Sequence, residues 1–300
     1  MKLPLGQSLT LVVPLTDAEA CRAALRARAA RLEQGWAKLP DLHTACLALV
    51  PSESSDGASH EGLLLECCFD GSLSDFAAVL FQSVGDELSG VLGHCEGYPV
   101  AADTRTFTAY LSERARRAVA FRSAPDPAPA ERGWLRRLRA VLDLARLACA
   151  IRSKPHTDAR SVDQIEAQRV AVAMQEPEPG VPLLHVARLL PEPRARQRLK
   201  RALRDVELES ACLERGARVL LHGEQLLFLA YPDQSAPRWS ERTSELALPT
   251  LTRIWANTVG FLQPRCARRA LRARQLSRFL LDYRLPVAAW FNARSAPPAA

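Results

Sequence analysis

The sequence predicts an α+β fold in which one chain carries two antiparallel sheets, each with two helices on one face. The first observation behind this is an internal repeat. Residues 62–99 (GLLLECCFDGSLSDFAAVLFQSVGDELSGVLGHCEGYP) recur in outline as 224–262, with Val91 over Ile254, His94 over Asn257, Gly97 over Gly260 and Tyr98 over Phe261. Upstream, Leu63-Leu64-Leu65 falls over Gln225-Leu226-Leu227 and Phe69 over Tyr231, so both copies keep the order apolar run, turn, helix, apolar run. The second is length: 300 residues exceed one comfortable core and suit two domains. The third is composition, since 48% hydrophobic and 24% charged residues are enough to build those cores.

In the first copy, residues 8–15 form a β-rich run, and Thr16 or Asp17 can cap a helix that continues through an Ala- and Arg-rich stretch to Glu33. Residues 43–50 alternate and stop at Pro51; the polar loop 52–61 (SESSDGASHE) then leads into the run 62–69, which makes a hairpin with a long connection. Asp70-Gly71 turns out of it. After Ser72, the residues Leu73, Phe76, Val79, Leu80, Val84 and Leu88 fall at helical spacing, and 91–98 reads as a short closing strand.

The second copy repeats this order: strand 181–190, an Arg-studded helix 193–209 with Pro at its start, and strands 217–221 and 225–231 around the tight turn His222-Gly223-Glu224. Helix 239–254, interrupted by Pro249, and run 254–262 complete it. A βαββαβ order is the ferredoxin-like pattern, with both helices on one face of the sheet. The other face needs a cover, and the cheapest is the other sheet. The expected architecture is two such units packed sheet to sheet as an intrachain pseudo-dimer. The boundaries are 1–105 for the first unit, 106–180 for connecting helices and linkers, 181–264 for the second unit, and 265–300 for a basic helix and disordered tail.

The formal charge is +7, almost all of it Arg, dispersed over several helices rather than gathered in a patch with aromatics between, which argues against nucleic acid. The eight cysteines form no CxxC pair and several sit in apolar runs, which reads as small buried hydrophobes in a reducing compartment. The N-terminal stretch MKLPLGQSLTLVVPL is too short and too interrupted for a membrane span and lacks a small-residue cleavage site. A cytoplasmic protein without stable membrane insertion, monomeric or homo-oligomeric, is expected.

The two-unit design, with the phrases LLLECCFDGSLSDF and VLGHCEGYP, resembles tandem bacterial proteins of the dimeric α/β-barrel superfamily, distantly similar to dye-decolourising peroxidases and chlorite dismutases. The resemblance covers residues 8–100 and, more weakly, 181–262. It implies sheets packed face to face around a small-molecule site, with haem beside the second unit in some enzyme branches and haem-free oxygenation of small aromatics in others. The chain departs from the haem branches. Its second unit offers only His185, in a strand, and His222, in a turn, as axial ligands, and the GxxDG motif is not reproduced around Phe69-Asp70-Gly71. Haem is therefore disfavoured, and no cofactor is assigned.

The densest set of reactive side chains is His94-Cys95-Glu96-Gly97-Tyr98-Pro99. On a strand, His94, Glu96 and Tyr98 share one face and Cys95 takes the other, so the trio becomes the candidate catalytic set in an inter-sheet cavity, with His94 as acid/base or ligand. The structural alternative is a strand end where His94 bonds the backbone and Tyr98-Pro99 packs over the core. Asp70-Gly71 reads as turn chemistry, Cys67 and Cys68 as core, and His43 and His185 as structural residues. No HxxxH, HExxH or CxxC spacing supports a metal site.

Two functions fit. One is a small-molecule pocket protein related to peroxidase or oxygen chemistry but lacking the usual haem-ligand His. The alternative is a non-catalytic module that docks on a partner protein or anionic membrane through the Arg-rich helices 134–152 and 265–278. Whether the chain is an enzyme is left open by its residues.

Overall fold

A computed structural model of the chain describes residues 7–53, 59–115, 120–121, 181–189, 197, 218–222, 225–231, 258–259 and 284–293. Within these residues the fold is mixed α+β with antiparallel sheets, and the chain divides into two compact units.

The first unit opens with β1 (Gln7–Pro14) and α1 (Ala18–Trp36). Asp17 is the N-cap, its carboxylate accepting from the Ala20 N–H, which satisfies a donor the helix itself cannot. Cys21, Leu25, Leu32 and Trp36 form the buried stripe of α1 at helical spacing. Then come β2 (Leu42–Glu53), β3 (Ser59–Phe69) and α2 (Leu73–Leu92), the last capped by the Ser72 hydroxyl. The hairpin strands run farther than the sequence suggests, pairing Pro51 with Glu61 and Glu53 with Ser59. Pro51 is tolerated because the alternation along β2 puts its missing N–H on the side away from β3. A third helix, α3 (Thr104–Arg114), starts at a reciprocal cap between Asp103 and Thr106.

The expected closing strand 91–98 is not formed. Helix α2 continues through Leu92, and residues 93–98 turn, leaving only an isolated bridge between Leu15 and Cys95. The apolar residues that suggested a strand, Val91 and Leu92, instead complete the buried face of α2. The fourth strand comes from far along the chain. Residues 287–292, to which the sequence reading gave no element, pair with the outer edge of β2, so the sheet order is β1-β3-β2 followed by that strand.

Strand alternation divides this sheet cleanly. Leu9, Leu11, Leu47, Leu63, Leu65 and Phe69 point to the helices and join one core with Trp36, Phe76, Leu80 and Leu88. Phe69 stacks on Phe76 at a centroid distance of 3.9 Å. Each such aliphatic or aromatic side chain withdrawn from water contributes about 1.5–3 kcal/mol, which makes this face the main source of the unit's stability. The two helices pack closely where Gly35 meets Val84. There α2 departs from helical geometry (Val84 φ −136°, ψ 18°), and the Ser83 hydroxyl donates to the Gly35 carbonyl at 3.2 Å. Arg28 and Arg31 of α1 both reach Glu87 of α2, at 2.8 and 3.3 Å.

The second unit contains β4 (Ala120–Phe121), β5 (Leu183–Leu189), β6 (Arg218–His222), β7 (Gln225–Ala230) and β8 (Thr258–Val259), in the order β4-β6-β7-β5-β8. The last strand of the chain, β9 (Val287–Asn292), is the one that belongs to the first sheet. The core β5-β7-β6 repeats the order β1-β3-β2, and the pairing of β8 with β5 corresponds, in the second copy, to the Cys95–Leu15 bridge beside β1 in the first. The second-copy helices expected at 193–209 (apart from Gln197) and 239–254, the connecting region from 122 to 180, and the basic helix 265–283 lie outside the described residues, whereas α3 and β4 occupy the start of the connecting region.

Gly35→Ala should destabilise the chain by about 1–3 kcal/mol, because a methyl there overlaps Val84 in a packed seam. Urea unfolding of mutant and wild type measures it, and an unchanged midpoint would show that the seam can open.

Candidate functional site

Residues 93–98 form a turn rather than a strand, so His94, Glu96 and Tyr98 do not line one face. The turn is a clasp on the end of β1. The His94 carbonyl accepts from the Thr16 N–H and the Thr16 hydroxyl, both at 2.9 Å, and the Glu96 N–H donates to the Pro14 carbonyl at 2.9 Å. Gly97 takes φ +70°, which an L side chain adopts at a cost, so the sharp bend there favours glycine. The Glu96 side chain is exposed, while His94 and Tyr98 are half-buried. Among the described residues, no hydrogen bond or ion pair joins the side chains of His94, Glu96 and Tyr98.

Tyr98 faces inward and sideways. Its hydroxyl shares a 2.6 Å hydrogen bond with Ser89, and its ring meets Tyr110 edge-on at 5.0 Å. Arg114 lies over the Tyr110 ring at 4.3 Å and donates to the Glu96 carbonyl at 3.4 Å. Burial raises the Tyr98 phenol, with the Ser89 hydrogen bond opposing it, and burial pushes the Cys95 thiol up to about 12. A thiol held protonated is a poor nucleophile, and the contacts of Tyr98, Tyr110 and Arg114 fasten α2 and α3 to the end of β1. His43, by contrast, meets the Asp70 carboxylate at 3.0 Å on the surface, joining the start of β2 to the end of β3.

The polar residues that the fold does gather lie on the helix-free face of the first sheet. The register aligns Thr10 of β1, Glu66 of β3, Cys46 of β2 and Trp290 of β9 in one row across all four strands. The next row on the same face holds Ser8, Cys68, Thr44 and Asn292. Residues directly opposite on such a face have Cβ atoms about 4.5–5.5 Å apart. This face is buried: Glu66 is 1% exposed, Thr10 4%, and Thr44 and Asn292 each 6%. A carboxyl group at that depth is rare unless it has partners or a task. The Thr10 Oγ1, beside it, makes no hydrogen bond among the described residues.

One signal for this set was present in the sequence. Glu66 is a single carboxylate inside the apolar run LLLECCF, where a fully buried strand should carry none. Trp290 and Asn292 had no such signal, since pairing with a strand more than two hundred residues earlier is not a local property. In the second unit His185 is buried at the place matching Thr10, opposite Phe228, which stands where the first unit has Glu66. The carboxyl row is thus a property of the first copy alone.

Among the described residues, no group of three or more His, Cys, Asp or Glu is arranged to hold a metal ion. No described helix is long and apolar enough to cross a membrane. No family model, no curated protein and no solved structure matches the chain.

Tyr98→Phe should cost about 1 kcal/mol by deleting the Ser89 hydrogen bond, whereas His94→Asn, which keeps the backbone carbonyl that Thr16 uses, should leave the melting temperature within a degree or two. Differential scanning calorimetry of both variants tests this, and a large loss in His94→Asn would assign the imidazole a structural role.

Proposed function

We propose that the chain is a small-molecule-binding protein of the dimeric α/β-barrel type, built from two ferredoxin-like units, whose binding surface is the helix-free face of the first sheet. The observation that carries this reading is the buried row centred on Glu66. A deeply buried carboxyl group favours a ligand that supplies an N–H or a positive charge to its ionised form, or an acceptor to its protonated form. The Thr10 hydroxyl beside it, without a hydrogen-bond partner among the described residues, offers a second contact to the same group. Proton transfer at Glu66 is the chemistry open to this face, and oxygen chemistry would need a reactive partner brought by the ligand.

The matching order of the two sheets supports the tandem design, and the described cysteines, all thiols and all buried, support a reducing, cytoplasmic setting. The docking alternative rests on the Arg-rich stretches 134–152 and 265–278, which lie outside the described residues.

Native mass spectrometry of the protein as purified should find a retained small molecule that Glu66→Gln releases, with circular dichroism confirming that the variant is folded. Asn292→Ala, at the rim of the same face, should weaken retention to a lesser degree. Identical spectra for the wild type and both variants would remove the basis for a site on this face.

A further inference from the structure

One of the two edge strands of each sheet is not part of the copy that builds the rest of it. In the first sheet it is β9, which follows the second copy; in the second sheet it is β4, which follows the first. The two occupy matching places. With Leu65 over Leu227, the registers put Leu47 over Leu220 and Ala45 over Arg218; Ala45 pairs with Phe291 and Arg218 with Phe121. The repeat therefore extends to a reciprocal exchange of edge strands, with a phenylalanine at the same register in each.

On β9 the attachment is modest in area and specific in detail. Its ladder to β2 runs from Thr44↔Asn292 to Ala48↔Val287 and is interrupted beside Leu47, far shorter than the β2–β3 ladder. Only Ala289 is fully buried on the core side, with Phe291 packed partly against it, so the apolar gain is small compared with that of β1 or β3. Specificity comes from the backbone. The Ala293 N–H donates to the His43 carbonyl at 2.8 Å, and the outward-facing Trp290 N–H donates to the Glu33 carboxylate of α1 at 3.1 Å. Glu33 thus closes the edge that a further strand would otherwise use.

We infer that the outer edge of β2, flanked by Glu33, is a strand-accepting site whose occupant is the chain's own segment 286–293, docked as a separable piece that leaves and returns while the rest of the sheet stays folded. Local opening of weakly packed edge elements below the global unfolding free energy is the expected behaviour of such a ladder. Opening removes Trp290 and Asn292 from the helix-free face and exposes Cys46, the register partner of Trp290.

That partnership supplies the probe. A synthetic peptide of residues 284–294 with Trp290→Cys, its thiol activated as a mixed disulfide with a small aromatic thiol, is added to the full chain. On docking, the Cys46 thiolate attacks the peptide sulfur, forms a protein–peptide disulfide and expels the aromatic thiol, whose absorbance gives the rate while peptide mapping gives the position. Cys46 should be labelled at least about five-fold faster than by a peptide of the same composition in scrambled order. Phe291→Ser should act with opposite signs, speeding labelling when placed in the chain and slowing it when placed in the peptide. Equal rates for ordered and scrambled peptides on the unaltered chain overturn the inference. Should Phe291→Ser unfold the chain, the comparison of peptides on the unaltered chain decides alone.

Replacing Glu33 tests the edge contact separately. Burial raises the Glu33 carboxyl above its usual range, with the Trp290 N–H opposing the shift. A carboxyl group raised in the folded state contributes stability that is present at low pH and lost as pH rises through the folded value. Glu33→Gln keeps an oxygen for the Trp290 N–H and removes the charge, so its stability relative to wild type should improve between pH 4 and pH 7, in a urea series at each pH. A pH-independent difference would mean that the carboxylate is not desolvated by this contact.

Discussion

Strand β3 is paired along both edges and buried on both faces, and most of the first unit follows from that constraint. Pairing on both sides fixes β1 and β2 in antiparallel register, and a one-residue slip of either would turn its core residues to the wrong face. The odd-numbered side chains of β3 have a ready partner in the two helices. The even-numbered ones, Leu64, Glu66 and Cys68, are just as buried, so a carboxyl group is held in a place that ordinary packing would give to a leucine. Replacing an apolar residue by an acid at such depth costs several kcal/mol unless its oxygens are engaged. Glu66 therefore sets this face apart from one filled by apolar side chains alone.

The turn at 93–98 illustrates the opposite case. Its density of reactive side chains suggests chemistry, yet its backbone does the work, through the carbonyl of His94 and the N–H of Glu96, on the last residues of β1. A strand edge that ends in Pro14 has one fewer donor to offer, and the bridge at Leu15 with the Thr16 contacts closes the gap. The tyrosines and Arg114 then pack α3 onto the same corner. Polar clustering along a sequence and polar convergence in space are different quantities, and here they fall in different places.

Local signals in the sequence led to local structure. The capping of α1 by Asp17, the start of α2 at Ser72, the Asp70-Gly71 turn and the three long strands of the first copy were all legible from periodicity and turn chemistry. The closing strand was misread because Val91 and Leu92 satisfy a helix stripe and a short strand equally well, and only the continuing α2 frame decides between them. The three central strands of the second sheet, β5, β6 and β7, were legible through the repeat, whereas β4 was not. Strand β9 was hidden because its partner lies in the first copy, and the candidate face was hidden with it, since half of each polar row depends on registers between distant strands.

The routing of β9 also bears on how the chain emerges during synthesis. The N-terminal unit has its helices and three paired strands once α3 has left the ribosome, yet its outer edge is filled only after roughly 170 further residues, a delay on the order of 10–35 s at about 5–20 residues per second. During that interval the nascent protein carries an open strand edge beside Glu33, the carboxylate that will later receive the Trp290 N–H. Glu33 meets only the far side of a strand docked there, so it rewards the filling of the edge and leaves β2 itself unshielded until β9 arrives.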